Sequence, residues 1–362
     1  MNNKVIPLAI KIMREDFLIK LGILVKRCIN SPYTVTLSIT DQCNAQCTTC
    51  TRWQTGNEIQ ELSCDEWQQL IVQMNYWLKP CYISFTGGEP FVKEWFCDLL
   101  KFAHKLGVYS NVSTNGIFFT PENYDKITQT GVDFILISLN SLDPEIHNTY
   151  KGVKNLHQRI VSAIKYMKNN SKVRIGVSCI ITRDNYRQLS DFASWAHNLG
   201  VDSINFQVIR DTFGPNFSAH PSIIASSSNP YWKIDDLTEL DRQLDLLMRQ
   251  KNNGVPIVTP GYDLNIFKKY FRDPLSIPRK LRCSVGFRNL IISSTGDVKL
   301  CYMFETLGNV KEEEIKDIWF SGNAQKQRME MLKCGLPCVS ACLREFKLSD
   351  QIKNFFTRLA LR

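Results

Sequence analysis

The chain has 362 residues, of which 44% are hydrophobic and 22% charged, with 13 cysteines and a formal net charge of +9. This length suits one large domain with an appendage or two domains, and the composition excludes an intrinsically disordered chain. No apolar run is long enough to span a membrane and no signal peptide is visible, so we expect a cytoplasmic protein. The basic residues are dispersed, which is typical of a cationic solvated surface and not of a nucleic-acid footprint.

Residues 4–28 have the pattern of a basic amphipathic helix. Such a face either packs on its own domain or lies on an acidic membrane surface. We expect it to pack on its own domain, and peripheral membrane contact is the alternative.

Between residues 33 and 209, strand-like and helical segments alternate. Apolar and β-branched runs predict six strands, at residues 33–40, 81–86, 108–113, 132–139, 172–181 and 201–209. Helical periodicity predicts the intervening helices, at 65–78, 93–106, 121–130, 155–169 and 184–199. This alternation indicates a parallel sheet, which right-handed crossovers curl into a barrel. Six units are too few for a closed eight-unit barrel, so we predict an α/β fold with a partial (β/α)6 TIM-like barrel.

The alternation ends after residue 211, where a Pro- and Ser-rich loop precedes a helix at 235–252. A second amphipathic pattern closes the chain, with apolar side chains at Leu348, Ile352, Phe355, Phe356 and Leu359. We therefore expect five segments: an N-terminal helix (1–32), the barrel (33–212), a linker with a helix (213–282), a small cysteine-rich domain (283–346) and a C-terminal helix (347–362).

Three cysteines, Cys43, Cys47 and Cys50, directly follow the first predicted strand, where a parallel barrel places its active-site loops. In a reducing compartment such cysteines bind metal or do chemistry more often than they form disulfides. Three thiolates can hold three irons of a [4Fe–4S] cube and leave the fourth iron open, as a catalytic centre requires. A zinc site would normally show a fourth ligand nearby, and no histidine lies within fifty residues of this cluster.

CxxxCxxC after the first strand, with GGEP at 87–90 after the second, resembles the radical S-adenosylmethionine (SAM) superfamily. The resemblance implies that the three cysteines are catalytic cluster ligands and that the amino and carboxylate groups of SAM chelate the fourth iron. One electron from the cluster then cleaves SAM to a 5′-deoxyadenosyl radical, which abstracts hydrogen from a substrate carbon. A reductant protein of the flavodoxin or ferredoxin type is the implied electron donor.

The same resemblance implies SAM contacts at the ends of the second, third and fourth strands. GGEP meets the SAM amino group, and glycine there lets backbone approach the ligand closely. STNG meets the ribose and methionine portion, and SLNS corresponds to the family's usual SLD. The implied SAM-binding residues are Gly87, Gly88, Glu89, Pro90, Ser113, Asn115, Ser138 and Asn140. Arg183 and Arg210 follow strand ends and could reach the SAM carboxylate, with an ordinary solvated arginine as an equal alternative.

Two positions depart from the family's pattern. Thr49 stands where an aromatic residue near the adenine often precedes the last cysteine, so the adenine contact must come from backbone or another side chain. Asn140 stands where aspartate is usual, and it can hydrogen-bond but cannot act as a base. Neither departure affects the cluster ligands.

The C-terminal region resembles the SPASM/twitch extension of some radical SAM enzymes, through Cys283, the turn leading to Cys301, LGNV at 307–310 and a closing cysteine group. A full SPASM domain needs seven cysteines for two auxiliary clusters, and five are available here. We therefore expect one auxiliary [4Fe–4S] cluster. Its implied ligands are Cys283, Cys301 and Cys342, with Cys338 or Cys334 as the fourth. A zinc ribbon would need two close cysteine pairs, and Cys283 and Cys301 do not form one.

The resemblance thus implies an enzyme that modifies a peptide, or that modifies or dehydrogenates a small molecule such as a sugar or a lipid-linked compound. Peptide maturases of the family often carry an added N-terminal peptide-binding domain, whereas only residues 1–32 precede the predicted barrel. This slightly disfavours a self-contained maturase but leaves room for a separate leader-binding partner. The rival from another class is a zinc-stabilised basic nucleic-acid-binding protein, and we expect no nucleic-acid partner.

Overall fold

The computed structural model describes residues 5–54, 60–209, 231–273 and 283–334. Within them, the strands are β1 (Thr34–Ser38), β2 (Tyr82–Thr86), β3 (Tyr109–Thr114), β4 (Phe134–Ser138), β5 (Arg174–Ile181), β6 (Ser203–Val208), β7 (Asn289–Ile292), β8 (Asp297–Lys299) and β9 (Gly308–Asn309). They form one sheet in the order β6-β5-β4-β3-β2-β1-β7-β8-β9.

The helices alternate with the first six strands and then follow them. They are α1 (Val5–Leu24), α2 (Cys64–Leu78), α3 (Phe96–Lys105), α4 (Pro121–Thr128), α5 (Pro144–Lys151), α6 (Leu156–Asn170), α7 (Leu189–Asn198), α8 (Leu237–Asn252), α9 (Gly261–Tyr270), α10 (Ile315–Phe320) and α11 (Gly322–Met331). Four of them, α5, α9, α10 and α11, are not predicted by sequence periodicity, because each has ten residues or fewer and lies outside the regular alternation.

Strands β1 to β6 pair in parallel and in chain order. This confirms the prediction of six strands in a partial barrel. Strand β7 pairs in parallel with the other side of β1, and β8 and β9 continue from it in antiparallel fashion. The C-terminal region therefore extends the barrel sheet, an arrangement that sequence periodicity could not reveal.

One face of the sheet is apolar and carries the helices. Val35, Leu37 and Ile83 alternate along β1 and β2 with 1% exposure or less. Phe85 on the same face contacts Phe96 of α3 in an edge-to-face pair with ring centroids 5.9 Å apart. Burial of this face supplies most of the hydrophobic stabilisation of the barrel and fixes the strand register, because a shift by one residue would expose these side chains.

Helix α1 lies at the amino-terminal end of the sheet. The side of this helix that packs against the rest of the domain carries charged residues. The ammonium of Lys11 donates to the carbonyl oxygens of Leu78 and Pro80, just before β2. The Glu15 carboxylate, 1% exposed, accepts from the backbone N–H of Ser31 at 2.8 Å. The opposite side leaves large apolar residues exposed, namely Ile6, Ile10, Met13, Phe17, Leu21 and Leu24.

The amphipathic pattern predicts that the apolar face of this helix packs on its own domain. That prediction is wrong, because Lys11, Glu15 and Ile19 form the packed side and the apolar face is exposed. Among the described helices, none is long and apolar enough to cross a membrane. The predicted C-terminal helix lies outside the described residues, and the five predicted segment boundaries stay predictions.

Candidate active site

The loop that carries Cys43, Cys47 and Cys50 follows β1 and is fixed at its base by charged groups. Arg52 donates to the Ser38 hydroxyl at 3.0 Å and forms an ion pair with Asp41 at 2.9 Å. The other oxygen of the Asp41 carboxylate accepts from the Ser294 hydroxyl at 2.7 Å, just after β7. The Glu61 carboxylate accepts from the Asp41 backbone N–H at 2.7 Å. Both ends of the loop are therefore held by partly buried ion pairs and hydrogen bonds.

The three thiols lie together on this loop and are half-buried. The backbone N–H of Cys50 donates to the Cys47 carbonyl at 3.1 Å, which closes a tight turn. Burial raises the pKa of the Cys43 thiol, and the negative charges of Cys47 and Cys50 raise it further. Burial likewise raises the pKa of the Cys50 thiol. Three neighbouring thiolates therefore need a cationic partner to be stable here, and the irons of a cluster are such a partner.

The donor set fits a [4Fe–4S] cube better than a single ion. Across the described ranges, no three His, Cys, Asp or Glu side chains converge on one metal-ion position. A cube needs no such convergence, because each thiolate binds a different iron. Three cysteines leave the fourth iron for an exchangeable ligand.

The glycines of GGEP are required by the cysteine loop itself. The backbone N–H of Gly88 donates to the Thr40 carbonyl at 2.7 Å, and that of Glu89 donates to the Gln42 carbonyl at 2.9 Å. A Cβ atom at Gly87, where φ is +140°, would overlap the Thr40 carbonyl, and one at Gly88 would overlap the Gln42 carbonyl. The family resemblance attributes these glycines to a close approach to a ligand, whereas here the close approach is between two protein loops.

Glu89 is fully buried and links the ends of β2 and β3. Its carboxylate accepts from the Asn115 N–H at 2.6 Å, the Thr114 hydroxyl at 2.9 Å and the Phe91 N–H at 3.2 Å. Burial raises the pKa of Glu89 to about 7, while these hydrogen bonds and the charge of Lys151 oppose the rise. The carboxylate thus acts inside the protein as a positioning group. Pro90, the next residue, is buried in a one-turn helix.

Asn115 lies next to the cysteine loop. Its amide nitrogen donates to the Asn44 side-chain oxygen at 2.9 Å and lies 3.8 Å from the Cys43 sulfur. Its amide oxygen accepts from the Ile117 N–H at 2.8 Å. Both ends of this amide are used, so hydrogen bonds hold the side chain in place beside Cys43.

The other predicted SAM contacts divide into two kinds. Ser113 and Ser138 are half-buried at the carboxyl ends of β3 and β4, on the same edge of the sheet as the cysteine loop. Asn140 is buried, and its side-chain oxygen accepts from the Ile180 N–H at 3.1 Å. The Asn140 carbonyl accepts from the Asn185 amide at 2.7 Å. The structure thus uses the Asn140 oxygen to hold the β4 end against β5.

Helix α5 forms a wall of the site that sequence reasoning missed. The backbone N–H groups of Gln46 and Thr48 donate to the carbonyls of Lys151 at 3.2 Å and Tyr150 at 3.0 Å. The hydroxyl groups of Thr49 and Tyr150 are in hydrogen-bond contact. An aromatic ring therefore does stand beside the Thr49 position, but it comes from α5. The signals for this helix were Asp143 as a cap, Pro144 in the first turn and a glycine at the end, in a segment of only eight residues.

Lys151, the last residue of α5, is a buried cation of this wall. The residue is 5% exposed, and its ammonium lies 6.0 Å from the centre of the Tyr150 ring. It has no hydrogen bond or ion pair to another side chain within the described part of the chain. Its charge lowers the pKa of Cys50 and of Glu89, against the larger effect of burial on each. Its ammonium has three donors and no side-chain partner among the described residues, so this side chain is placed to receive an anion beside the cysteine loop.

Arg183, the cation that the sequence offers for the SAM carboxylate, has nearby partners of its own. Its guanidinium donates to Asp184 at 3.3 Å and lies 5.7 Å from the Tyr231 ring. The side chain is half-exposed. Arg210 lies outside the described residues. Lys151 is therefore the better-placed cation next to the cysteine loop.

The concave face of the sheet, opposite the helices, is largely polar. Strand register places side chains from five strands in one row, Thr36, Ser84, Asn111, Phe134 and Arg174. The Asn111 amide donates to the Ser84 hydroxyl at 3.1 Å, and its buried side-chain oxygen has no partner in the described structure. A closed barrel fills this space with branched apolar residues. The sequence signal for this polar face is the alternation of polar and apolar residues in TVTLS, YISFT and YSNVST.

Two cysteines of the second group, Cys283 and Cys301, lie toward the opposite end of the sheet. Cys283 precedes β7, and Cys301 follows β8, which runs antiparallel to β7. Cys301 is buried, whereas Cys283 and Cys334 are half-buried. Cys338 and Cys342 lie outside the described residues. Strand direction therefore separates Cys283 and Cys301 from the loop after β1 by the length of a five-residue strand, about 15 Å.

Two family models match this chain. One, described as the radical SAM superfamily, matches residues 37–196, and the other, a SPASM iron–sulfur cluster-binding domain, matches residues 283–344. Between them they account for more than half of the chain. The chain belongs to the radical SAM superfamily. This radical SAM enzyme carries a SPASM-type domain, and its cofactors are SAM and [4Fe–4S] clusters.

Relatives of this radical SAM enzyme act on different substrates. An AdoMet-dependent heme synthase of Oleidesulfovibrio alaskensis is 25% identical over 297 residues, 78% of this chain and 72% of the relative. A PqqA peptide cyclase of Bradyrhizobium diazoefficiens is 21% identical over 321 residues, 87% of this chain and 80% of the relative. Streptococcus suis SuiB bound to its precursor peptide SuiA matches with a TM-score of 0.63, 16% identity and coverage of 85% of this chain and 69% of SuiB. The structural match shows that the fold is shared.

Proposed function

We propose that this radical SAM enzyme abstracts a hydrogen atom from a carbon of a peptide substrate. Cys43, Cys47 and Cys50 hold the SAM-binding cluster, which with SAM bound supplies reductive cleavage of SAM and a 5′-deoxyadenosyl radical. The observation that carries the proposal is the polar, partly exposed concave face of the sheet, which opens beside the loop of the three cysteines. A polar substrate needs such a face, because each buried polar group must find a hydrogen-bond partner.

The protein's part is to hold SAM and the substrate. We assign the SAM amino and ribose contacts to the GGEP loop at 87–90 and to Ser113, Asn115 and Ser138. We assign the SAM carboxylate to Lys151, because its ammonium lies beside the cysteine loop and makes no hydrogen bond or ion pair with a side chain among the described residues. Asn140 enters this proposal as a residue that positions the β4 end.

A peptide is favoured over a small molecule by two of the comparisons. A PqqA peptide cyclase is a relative, and SuiB with the same fold binds a precursor peptide. The heme synthase relative supports a small-molecule substrate, which stays the second candidate. A flavodoxin- or ferredoxin-type protein is the proposed electron donor, because cleavage consumes one electron from outside the chain.

One auxiliary [4Fe–4S] cluster is proposed for the SPASM-type domain. Its ligands are Cys283, Cys301 and Cys342, with Cys338 or Cys334 as the fourth. A cluster held by these cysteines would supply an electron acceptor for the substrate radical or a ligand position for the substrate.

The first test is iron and SAM cleavage. We expect anaerobically reconstituted protein to hold about eight irons from two cubes and to release 5′-deoxyadenosine when reduced with dithionite in the presence of SAM. A colourless zinc protein with salt-sensitive RNA or DNA binding would contradict the proposal and favour the nucleic-acid rival.

The second test concerns the substrate class. We expect a mixture of short synthetic peptides covering all side chains to accelerate 5′-deoxyadenosine release, and a matched mixture of hexoses and amino sugars to leave it unchanged. Acceleration by the sugar mixture alone would contradict the peptide substrate and support a small-molecule substrate, while the proposed radical chemistry would still stand.

A further inference from the structure

The exposed side of α1 is a continuous apolar stripe. Ile6, Ile10, Met13, Phe17, Leu21 and Leu24 follow one another at intervals of three and four residues, so they share one face of the helix. The exposures of Ile10, Phe17 and Leu24 are 63%, 68% and 78%. Single exposed apolar residues need no explanation, but a stripe of six over the length of a helix marks an interaction surface.

The helix cannot turn this stripe inward. Its packed side is fixed by Lys11, which donates to the Leu78 and Pro80 carbonyls, and by Glu15, which accepts from Ser31. Rotating the helix would break these buried bonds and leave two charges without partners, which is strongly unfavourable. The stripe therefore needs a partner from outside the described fold.

The charges around the stripe identify the kind of partner. The exposed charged residues of α1 are Arg14 and Lys20, and Lys26 and Arg27 follow in the next turn. The acids of the helix are used internally. Glu15 accepts from the Ser31 N–H and pairs with Arg14, and Asp16 accepts from the Tyr33 hydroxyl, so Lys20, Lys26 and Arg27 are the cations of the border without an acidic partner on the helix. An apolar stripe bordered by cations alone matches the interface of an anionic bilayer, where apolar side chains enter and cations meet headgroups.

Two other occupants fit the charge pattern less well. A second copy of the chain docked through the stripe would bring Arg14 and Lys20 of both copies together. Residues 344–362 of this chain are apolar in pattern but carry five basic and two acidic residues, so they repel the same border. Neither alternative supplies the negative charge that would complement the cations beside the stripe.

We propose that α1 lies on the surface of an anionic membrane and docks the enzyme there. The cysteine loop is at the carboxyl ends of the strands, whereas α1 contacts the residues before β1 and β2. The docked enzyme therefore opens its SAM site away from the lipid, toward a substrate in the aqueous phase.

Vesicle co-sedimentation of the reconstituted full chain tests the proposal. We expect at least tenfold stronger binding to vesicles of phosphatidylglycerol and phosphatidylcholine than to phosphatidylcholine alone, and weaker binding in high salt. The double variant Phe17→Asp, Leu24→Asp should lose at least tenfold in binding while still releasing 5′-deoxyadenosine in solution. The matched control, Val72→Asp, Tyr76→Asp, alters two exposed apolar residues of a different helix, α2, and should bind like the parent.

A second variant keeps the test independent of folding. Lys20→Glu, Lys26→Glu changes only exposed cations and should also reduce binding to anionic vesicles. Absence of binding, or equal binding to both vesicle types, would overturn the proposal. So would a dimer that Phe17→Asp dissociates, which would assign the stripe to a second copy. Vesicle binding that appears only in the double variant Phe355→Asp, Phe356→Asp would show that the chain's own C-terminal segment covers the stripe in the parent, which would also overturn the proposal.

Discussion

At the scale of single residues, Glu89 and Lys151 differ in how their polar groups are partnered. Glu89 has three hydrogen-bond donors around its carboxylate. Lys151 lies close enough to Glu89 and Cys50 to lower their pKa values, but in the described structure its ammonium makes no hydrogen bond or ion pair with a side chain. An ammonium with free donors beside the cysteine loop is the property expected of a binding group.

Glu89→Gln should lower the free energy of unfolding of the metal-free protein by about 1–3 kcal/mol. The oxygen of the new side-chain amide can still accept hydrogen bonds from Thr114 and Phe91. Its NH2 group then faces the Asn115 N–H, so two donors meet without an acceptor. Glu94→Gln, an exposed neighbour, is the matched control and should stay within about 0.5 kcal/mol. Urea unfolding of both variants checks this, and equal stabilities would contradict the role given to Glu89.

The pH dependence of the same protein follows from the raised pKa of Glu89. The folded chain holds this proton up to a pKa of about 7, whereas the unfolded chain releases it near 4.5. The folded state thus binds more protons in between, so its stability should fall as pH rises from about 4.5 to 7. Urea unfolding across this range should show a shallower fall for Glu89→Gln than for the parent. Parallel curves would show that folding does not shift the pKa of this carboxyl.

Lys151→Met should act on the loaded enzyme and leave the stability of the empty one close to that of the parent. Methionine keeps the packing of this largely buried side chain while it removes the charge. The same change should weaken SAM binding at least tenfold, measured by the perturbation of the reduced cluster's paramagnetic spectrum on SAM addition. The exposed Lys154→Met is the control. Loss of stability with unchanged SAM binding would show that Lys151 is only structural.

At the scale of elements, helix α11 positions the segment that carries Cys283. Arg328 of α11, fully buried, donates to the carbonyls of Gly286 and Trp319, both at 2.8 Å. Its guanidinium also lies 4.2 Å from the Trp319 ring. Burial lowers the pKa of Arg328 to about 10, which still leaves it charged at neutral pH. One side chain thus joins α10, α11 and the turn after Cys283.

Arg328→Met should destabilise the protein by about 2–4 kcal/mol, because two buried carbonyls lose charged donors. Since Gly286 lies three residues after Cys283, we also expect less iron in the auxiliary site and unchanged iron at the first site. Denaturant unfolding and iron analysis measure both effects. The exposed Lys326→Met controls for charge on the same helix, and iron loss from that variant would contradict the role given to Arg328.

At the scale of the whole molecule, the sheet places the cysteine loop and the Cys283–Cys301 pair at opposite strand ends. The cysteine loop lies beyond the carboxyl ends of the strands, and Cys283 and Cys301 approach the amino-terminal end. No ligand is shared between the two groups in the proposal. Each cluster should therefore be removable without loss of the other.

Cys47→Ala should abolish 5′-deoxyadenosine release and retain the auxiliary iron, about four per chain. Cys301→Ala should show the reverse, with the auxiliary iron lost, some uncoupled SAM cleavage retained and product formation lost. Iron analysis and chromatography of the nucleoside measure these outcomes. SAM cleavage by Cys47→Ala would place the catalytic cluster elsewhere in the chain.

The sequence by itself determined the six strands, their parallel order and the position of the cysteine loop. These follow from local information, since apolar periodicity, β-branched runs and cysteine spacing are read within a few residues. The GGEP glycines were also recognised, although the reason for them, contact with Thr40 and Gln42, required the fold.

Only the tertiary structure decided how distant segments meet. Short α5 brings Tyr150 and Lys151 to the cysteine loop, β7 joins β1 across more than two hundred residues, and α1 turns its charged side inward. Each depends on pairing between segments whose separate patterns are weak or ambiguous. An amphipathic pattern in particular shows that a helix has an apolar face, and burial by the rest of the chain decides whether that face points to the core or to solvent.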